Sequence, residues 1–319
     1  MNRAAASPQH DHTLTRARPL LGTLVEISVR GASTHALNTA IEQAFAAVER
    51  IQTLMSYHDL TSDVSRLNRS GTTGITVDPH TWFVLDTART LAAVSNGLFD
   101  ISIAPELVRA GYLPQHTDFA SADAAANWRH IELLPDHRVR LSRPMHIDLG
   151  GIAKGYAVDC AILALQDAGM QAGRVNAGGD LRVFGEAAET IHVRHPGAAT
   201  QLLPLCQLRE GAVATSAPYY SQRQVNGCVA SPLINAATRQ PCTDTRSVSV
   251  LADCCMLADA LTKVVFAAPT RAIAVLQHFA AHAAVIDADP RLPAQYRVRL
   301  SEPTGWRDAL QTEPEAVAA

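Results

Sequence analysis

The sequence predicts an α+β fold in which mainly antiparallel sheets are flanked by helices. Apolar and polar residues alternate in segment 25–29, VEISV, and again in segment 247–250, SVSV. This alternation is typical of strands with one buried and one exposed face, which are usually antiparallel. With 319 residues, of which 47% are hydrophobic and 18% charged, the chain can bury a large core.

Helices are predicted at five places, and the helix at residues 152–168 illustrates the pattern on which they rest. Ile152, Tyr156, Cys160 and Leu163 recur near helical spacing, and Gly169 supplies a stop signal. In chain order, the predicted helices span residues 34–55, 81–96, 152–168, 257–265 and 269–281.

We expect a single folded domain over residues 19–312, with disordered segments at 1–18 and 313–319. The first eighteen residues carry neither an apolar signal core nor a lipoprotein-type cysteine, and no window approaches transmembrane length. As written, the chain is therefore expected to be cytoplasmic. A misassigned start or a removed signal would make it periplasmic instead.

Composition argues against nucleic-acid binding and against a metal site built from cysteines or histidines. A net charge of −3 gives no electrostatic footprint for nucleic acid. The six cysteines form no C-x-x-C pair, and the thirteen histidines are scattered, so we expect reduced thiols and no histidine metal cluster.

The segment His146–Gly185 carries the strongest functional signal. A short predicted strand ends near Asp148, and Gly150 and Gly151 then permit a tight turn into a helix. The unpaired amides and dipole of that helix, together with Lys154, would favour a phosphate. A divalent cation between Asp148 and the phosphate would explain an acid at an anion site. The alternative is that Asp148 only caps the helix.

A second glycine turn follows in Val175–Asp180, VNAGGD, so that two turns associated with acids could face one pocket. Neither turn reads G-x-G-x-x-G or G-x-x-x-x-G-K-[ST]. A dinucleotide-binding doubly wound fold and a P-loop NTPase are therefore not indicated.

Several segments together resemble the ApbE family of FAD:protein FMN transferases, in the family's order from about Pro19 to about Phe266. They are RPLLGTLVEISV, MSYHDLTSDVSRLN, GLFDISIAPEL, IDLGGIAKGYAVD, VNAGGDLRVFG, VATSAPYY, PLINAATRQP and SVSVLADCCMLADALTK. The resemblance implies a two-lobed ApbE-like α+β fold. It also implies an enzyme that binds FAD with Mg²⁺, cleaves the pyrophosphate, releases AMP and attaches FMN through a phosphoester to a threonine or serine of a target protein.

The resemblance also implies a flavin site. The residues expected to contact FAD are Leu21, His58, Leu98, Phe99, Asp100, Asp148, Lys154 and Ile234. Among them, Asp148 takes the position of a flavin-contacting acid, and His58 takes that of a family tyrosine, with Tyr57 one residue earlier. Either ring could stack on FAD or simply be packed.

The metal site implied by the resemblance comprises Gly151, Asp259 and the position of Lys263, and Asp148 and Asp259 are the expected catalytic residues. The family usually has a threonine where this chain has Lys263. Because a protonated lysine cannot ligate Mg²⁺, three alternatives are open: Thr262 shifts in, water fills the gap, or the Lys263 ammonium replaces part of the metal's charge.

Two further segments depart from the family pattern. Pro232 and Asn235 stand where many members have histidine and aspartate, and Ala217-Pro218 replaces a more usual Gly-Asp. These losses keep two alternatives beside the transferase: a protein that binds FAD without transfer, and a Mg²⁺-dependent FAD pyrophosphatase that yields FMN and AMP.

Overall fold

The computed structural model describes residues 12–119, 121–196, 198–225, 227–289 and 292–300. In this part of the chain the helices are α1 (Thr34–Met55), α2 (Asp63–Ser70), α3 (Pro79–Val94), α4 (Ala104–Arg109), α5 (Ala153–Asp167), α6 (Cys255–Ala267) and α7 (Pro269–His278). The five predicted helices are confirmed as α1, α3, α5, α6 and α7, with small shifts at their ends. The short helices α2 and α4 were not predicted.

The strands are short and numerous. They are β1 (His12–Leu20), β2 (Thr23–Gly31), β3 (Ile75–Thr76), β4 (Ile131–Leu134), β5 (Arg138–Leu141), β6 (Gly173–Ala177), β7 (Asp180–Phe184), β8 (Glu189–His195), β9 (Ala198–Leu208), β10 (Gly211–Ser216), β11 (Arg223–Val225), β12 (Cys228–Ala230), β13 (Ile234–Asn235), β14 (Gln240–Pro241), β15 (Ser247–Ala252), β16 (His282–Asp289) and β17 (Leu292–Leu300).

The main sheet has eight strands in the order β1-β2-β6-β7-β10-β15-β16-β17, and every neighbouring pair is antiparallel. The predicted α+β class with mainly antiparallel sheets is therefore confirmed. Residues 12–18, which we expected to be disordered, belong to β1, because they pair with β2 along its whole length. Residues 1–11 and the predicted disordered tail at 313–319 lie outside the described residues.

The two sheet faces differ in what covers them. On one face, α1, α5 and α6 pack over a large apolar core that includes the buried side chains of β2. On the other face, a smaller core joins the β8–β9 hairpin to β7, β10 and β16. Strand β2 alternates as predicted, whereas segment 247–250 of β15 is buried on both faces. The half-exposed prediction for β15 was wrong because the sequence pattern does not reveal this double cover.

Helices α5 and α6 meet closely at Gly155, where an added Cβ would lie 2.3 Å from the carbonyl oxygen of Cys255. The carboxylate of Asp159, on α5, accepts the backbone amides of Cys255 (2.9 Å) and Met256 (2.8 Å) and so caps the start of α6. Arg182 pairs with the same carboxylate at 2.7 Å. This junction fixes the start of α5 against α6, and the candidate site is built there.

Candidate active site

A cleft of about 1230 Å³ opens where segments distant in sequence converge. Its walls include the start of α5, the β6–β7 turn, the end of β10 and the middle of α6. The lining residues with charged or hydroxyl groups include Asp148, Lys154, Asp180, Ser216 and Lys263. Ligand pockets for small molecules are usually about 300–1,000 Å³, so this cleft has room for a ligand the size of a dinucleotide.

Two lysines and two aspartates form a linked cluster in this cleft. The Lys154 ammonium donates to a carboxylate oxygen of Asp180 and lies 3.5 Å from Oδ2 of Asp259. The Lys263 ammonium donates to the other oxygen, Oδ1, of Asp259. The amide of Gly155 donates to Asp259 Oδ2 at 3.2 Å. Both oxygens of the Asp259 carboxylate are therefore occupied by N–H donors.

Burial strengthens the interactions between the charges of this acid–lysine cluster. The side chain of Asp259 is fully buried and that of Asp180 is nearly so, whereas those of Lys154 and Lys263 are 33% and 18% exposed. Burial alone would raise the pKa of Asp259, but Lys154 and Lys263 outweigh it and hold that pKa below its usual range. Burial and the neighbouring Asp259 charge raise the pKa of Asp180. The two ammonium groups are thus the more exposed members of the cluster, and the carboxylates that hold them are buried.

The predicted metal residues Gly151, Asp259 and Lys263 lie together, and the Lys263 side chain connects the other two. Lys263 passes Gly151, with its Cε 3.5 Å from where a Cβ of that glycine would lie, and ends on Asp259. Its ammonium also donates to the carbonyl oxygen of Asp259 at 2.9 Å and to Ser216 Oγ at 3.4 Å. Lys263, which was predicted at the metal site, thus places a nitrogen that donates to three oxygens there.

These donors do not fit Mg²⁺ at Asp259. A hard cation needs accessible oxygen ligands, whereas the Asp259 carboxylate is fully buried and each of its oxygens already accepts an N–H group. The hydroxyl of Thr262 is also buried; it donates to the Asp259 carbonyl oxygen at 2.7 Å and bonds Ser216 Oγ at 2.7 Å. Among the described residues, no group of three or more His, Cys, Asp or Glu side chains is arranged to hold a metal ion.

Asp148 lines the cleft and does not cap α5. It accepts the amide of Gly150 at 3.0 Å, while Ile152, the residue before α5, makes no side-chain capping bond. Burial raises the pKa of Asp148 to about 6, although the Gly150 amide, His58 and Lys154 partly oppose the shift. The capping alternative is thereby excluded, and the start of α5 faces the cleft with Lys154 on its first turn.

The Leu98, Phe99 and Asp100 segment borders a smaller cavity that shares Asp148 and Lys263 with the cleft. Leu98 and Phe99 are buried apolar walls. The Asp100 carboxylate also has structural partners: it accepts the amide of Ser102 at 2.8 Å and pairs with Arg239 at 3.3 Å. Ile234, also predicted at the site, lines both spaces.

Leu21 and His58 also line the cleft. Of the two adjacent aromatic residues, His58 is exposed, whereas Tyr57 is 3% exposed and packs edge-on against Phe119. Burial and the charge of Asp148 raise the pKa of Tyr57 to about 12. Both rings line the cleft, but His58 is the one with an open face, whereas Tyr57 is packed into the wall.

Pro232 and Asn235, the two residues that depart from the family pattern in segment 232–235, lie in different surroundings. Pro232 lines the cleft. Asn235 stabilises its own turn, because its Oδ1 accepts the amides of Ala237 (3.0 Å) and Thr238 (3.2 Å) and its Nδ2 donates to Ala267.

Asp180 belongs to the acid–lysine cluster and Ser216 accepts from its Lys263, but neither residue was among the predicted site residues. Asp180 had a signal, since it ends the second glycine turn, and the structure confirms that this turn faces the same cleft as Asp148. Ser216 had no sequence signal beyond its place in a family segment, because its contacts depend on β10 ending beside α6.

The described helices include none that is long and apolar enough to cross a membrane.

Comparison with known proteins relates this arrangement to one family. A sequence model of the ApbE family matches residues 21–286. The FAD:protein FMN transferase of Vibrio cholerae is 27% identical over 245 residues, covering 72% of each chain, and that of Treponema pallidum is 25% identical over 281 residues, covering 79% of this chain and 78% of the relative.

Solved structures give the same fold. The ApbE protein of Thermotoga maritima superposes with a TM-score of 0.78 at 25% identity, covering 92% of this chain and 98% of the other. The apo flavinyl transferase ApbE of Pseudomonas stutzeri does so with a TM-score of 0.76 at 20% identity, covering 92% and 96%. The matched span takes in most of the sheet and every residue of the acid–lysine cluster, and the chain belongs to the ApbE family.

Proposed function

We propose that this protein is an FAD:protein FMN transferase. It binds FAD in the cleft, breaks the pyrophosphate, and attaches FMN through a phosphoester to a threonine or serine of a target protein. The Vibrio cholerae and Treponema pallidum relatives bear that name. The size of the cleft and its positive groups support the same reaction.

The observation that carries the proposal is the pair of ammonium groups that line the cleft, Lys154 from the first turn of α5 and Lys263 from α6. Lys154 and Lys263 both line the cleft, and both are anchored on buried carboxylates. Phosphoryl transfer depends mainly on positioning and on stabilising charge at the transferring group. Anchored ammonium groups meet this need because they are already oriented before the reaction.

In this reaction the hydroxyl oxygen of the acceptor attacks the phosphorus of the FMN half. A new P–O bond forms to the acceptor, and the bridging P–O bond to AMP breaks. The hydroxyl proton passes to the AMP phosphate or to water. The nucleophile belongs to the partner protein, so this chain contributes binding, orientation and charge: Lys154 and Lys263 hold the diphosphate, and the walls at Phe99 and His58 hold the flavin.

The test is an incubation with FAD and an acceptor domain that carries a flavinylatable threonine or serine. AMP is measured by chromatography, and covalent FMN on the acceptor by intact mass. We expect both products, and we expect Lys154→Met to lose them. Tight FAD binding without either product would identify a flavin-binding protein instead, and AMP with unattached FMN would identify a pyrophosphatase.

A further inference from the structure

Lysine is rare in this protein and is concentrated at one place. Of its 27 basic residues Lys154 and Lys263 are the only lysines, the others being arginine. Both lie in the acid–lysine cluster of the cleft. An ammonium is a compact charge with three donors, whereas a guanidinium is a broad planar fork. The site therefore uses the side chain whose charged group is closest in shape to a small cation.

The surroundings of Lys263 are those of a bound cation. Its ammonium contacts three kinds of oxygen: the carboxylate and the carbonyl of Asp259 and the hydroxyl of Ser216. The spacing of Lys263 and Asp259, four residues apart on α6, places both side chains on one helix face. Helix geometry thus delivers the ammonium to Asp259, the residue that the family resemblance assigns to a metal.

A divalent ion at Asp259 would have to displace this ammonium. Both carboxylate oxygens of Asp259 are occupied, by Lys263 on one side and by Lys154 and Gly155 on the other. A second cation placed between two ammonium groups would also be repelled by both, and burial reduces the screening of that repulsion. The arrangement is complete without a metal.

We propose that the Lys263 ammonium serves as the tethered cation of this site in place of a divalent metal. FAD diphosphate is then bound and cleaved without Mg²⁺. This inference rests on the proposed function. It gives Lys263 a catalytic role, since the ammonium contacts the diphosphate from the position that a metal ion would take.

The first test compares AMP release from FAD by the metal-free protein with an acceptor, in EDTA and in Mg²⁺. We expect the same rate in both. Lys263→Thr should lose about 10²–10³-fold in EDTA and recover in Mg²⁺, because the threonine hydroxyl restores an oxygen ligand. Lys263→Met should stay slow in both. Arg271→Met, which removes an exposed charge on α7, is the control and should match the unaltered protein.

A second readout is Mn²⁺ binding in the presence of FAD, followed by electron paramagnetic resonance with an FAD-only control. We expect site binding by Lys263→Thr and none by the unaltered protein. AMP release that requires Mg²⁺ in the unaltered protein would overturn the inference and leave the proposed function intact. An absence of AMP in both EDTA and Mg²⁺ would count against the proposed function. In that case the Mn²⁺ measurement still tests the inference, because Mn²⁺ bound at the cluster of the unaltered protein would refute the role of Lys263.

Discussion

Replacing Gly155 by alanine should loosen the junction of α5 and α6. The added Cβ would lie 2.3 Å from the Cys255 carbonyl oxygen and 2.9 Å from Cβ of Asp259. Since non-bonded heavy atoms prefer about 3.5–4.0 Å, the helices would have to separate by roughly 1 Å. Neither neighbour can yield by a simple rotamer change, because one is backbone and the other is a Cβ.

The energetic cost follows from two opposing effects. Alanine is favoured over glycine in a helix by about 1 kcal/mol, whereas overpacking a well-packed interior costs about 1–3 kcal/mol and occasionally more. Separation would also stretch the bond from the Gly155 amide to Asp259 and the Asp159 cap on α6. We therefore expect a net destabilisation of about 2 kcal/mol and a fall in Tm of roughly 4 °C.

Thermal unfolding of Gly155→Ala, followed by circular dichroism, measures this effect, and fluorescence quenching of FAD measures its consequence for binding. Gly74→Ala is the matched control, because an added Cβ there meets nothing closer than 3.5 Å. The control should stay within about 1 kcal/mol of the unaltered protein. If Gly155→Ala unfolded at or above the Tm of the unaltered protein, the close α5–α6 packing would be refuted.

Two other changes test single side chains. The pKa of Asp148 is raised to about 6, so its protonated form stabilises the fold fully below roughly pH 4 and that contribution is lost as pH rises through 6. Asp148→Asn should therefore raise Tm at pH 8 and leave it unchanged near pH 4; a gain of equal size at both pH values would contradict this. Asp159→Ala should cost about 3–5 kcal/mol in urea denaturation because Arg182 loses its buried partner, whereas Glu42→Ala, at an exposed ion pair, should cost about 0–1 kcal/mol.

Local pattern was enough to predict much of the fold. Helix α1 has the predicted bounds because its apolar residues recur at helical spacing and Ser33 caps it. Helix α2 escaped prediction because DVSRLNRS is polar and short. Its stability comes instead from distant contacts, since the Asp63 carboxylate on α2 accepts the Asp78 amide and the Thr81 hydroxyl, both at 2.8 Å.

The candidate site shows the same division between local and distant information. The pairing of Asp259 with Lys263 is readable from their spacing on one helix, and Asp148 and Lys154 are readable from the glycine turn before α5. The contact of Lys154 with Asp259, 105 residues apart, depends on how closely α5 approaches α6.

The close approach of α5 to α6 is visible in the sequence as a glycine, Gly155, directly after Lys154. Glycine is a poor helix former, and in the first turn of α5 it permits a backbone contact that no side chain would allow. A side chain at this position would separate the helices and move Asp259 away from Lys154. The glycine is thus a requirement of the charge cluster, and it links the stability prediction for Gly155→Ala to the chemistry proposed for the two lysines.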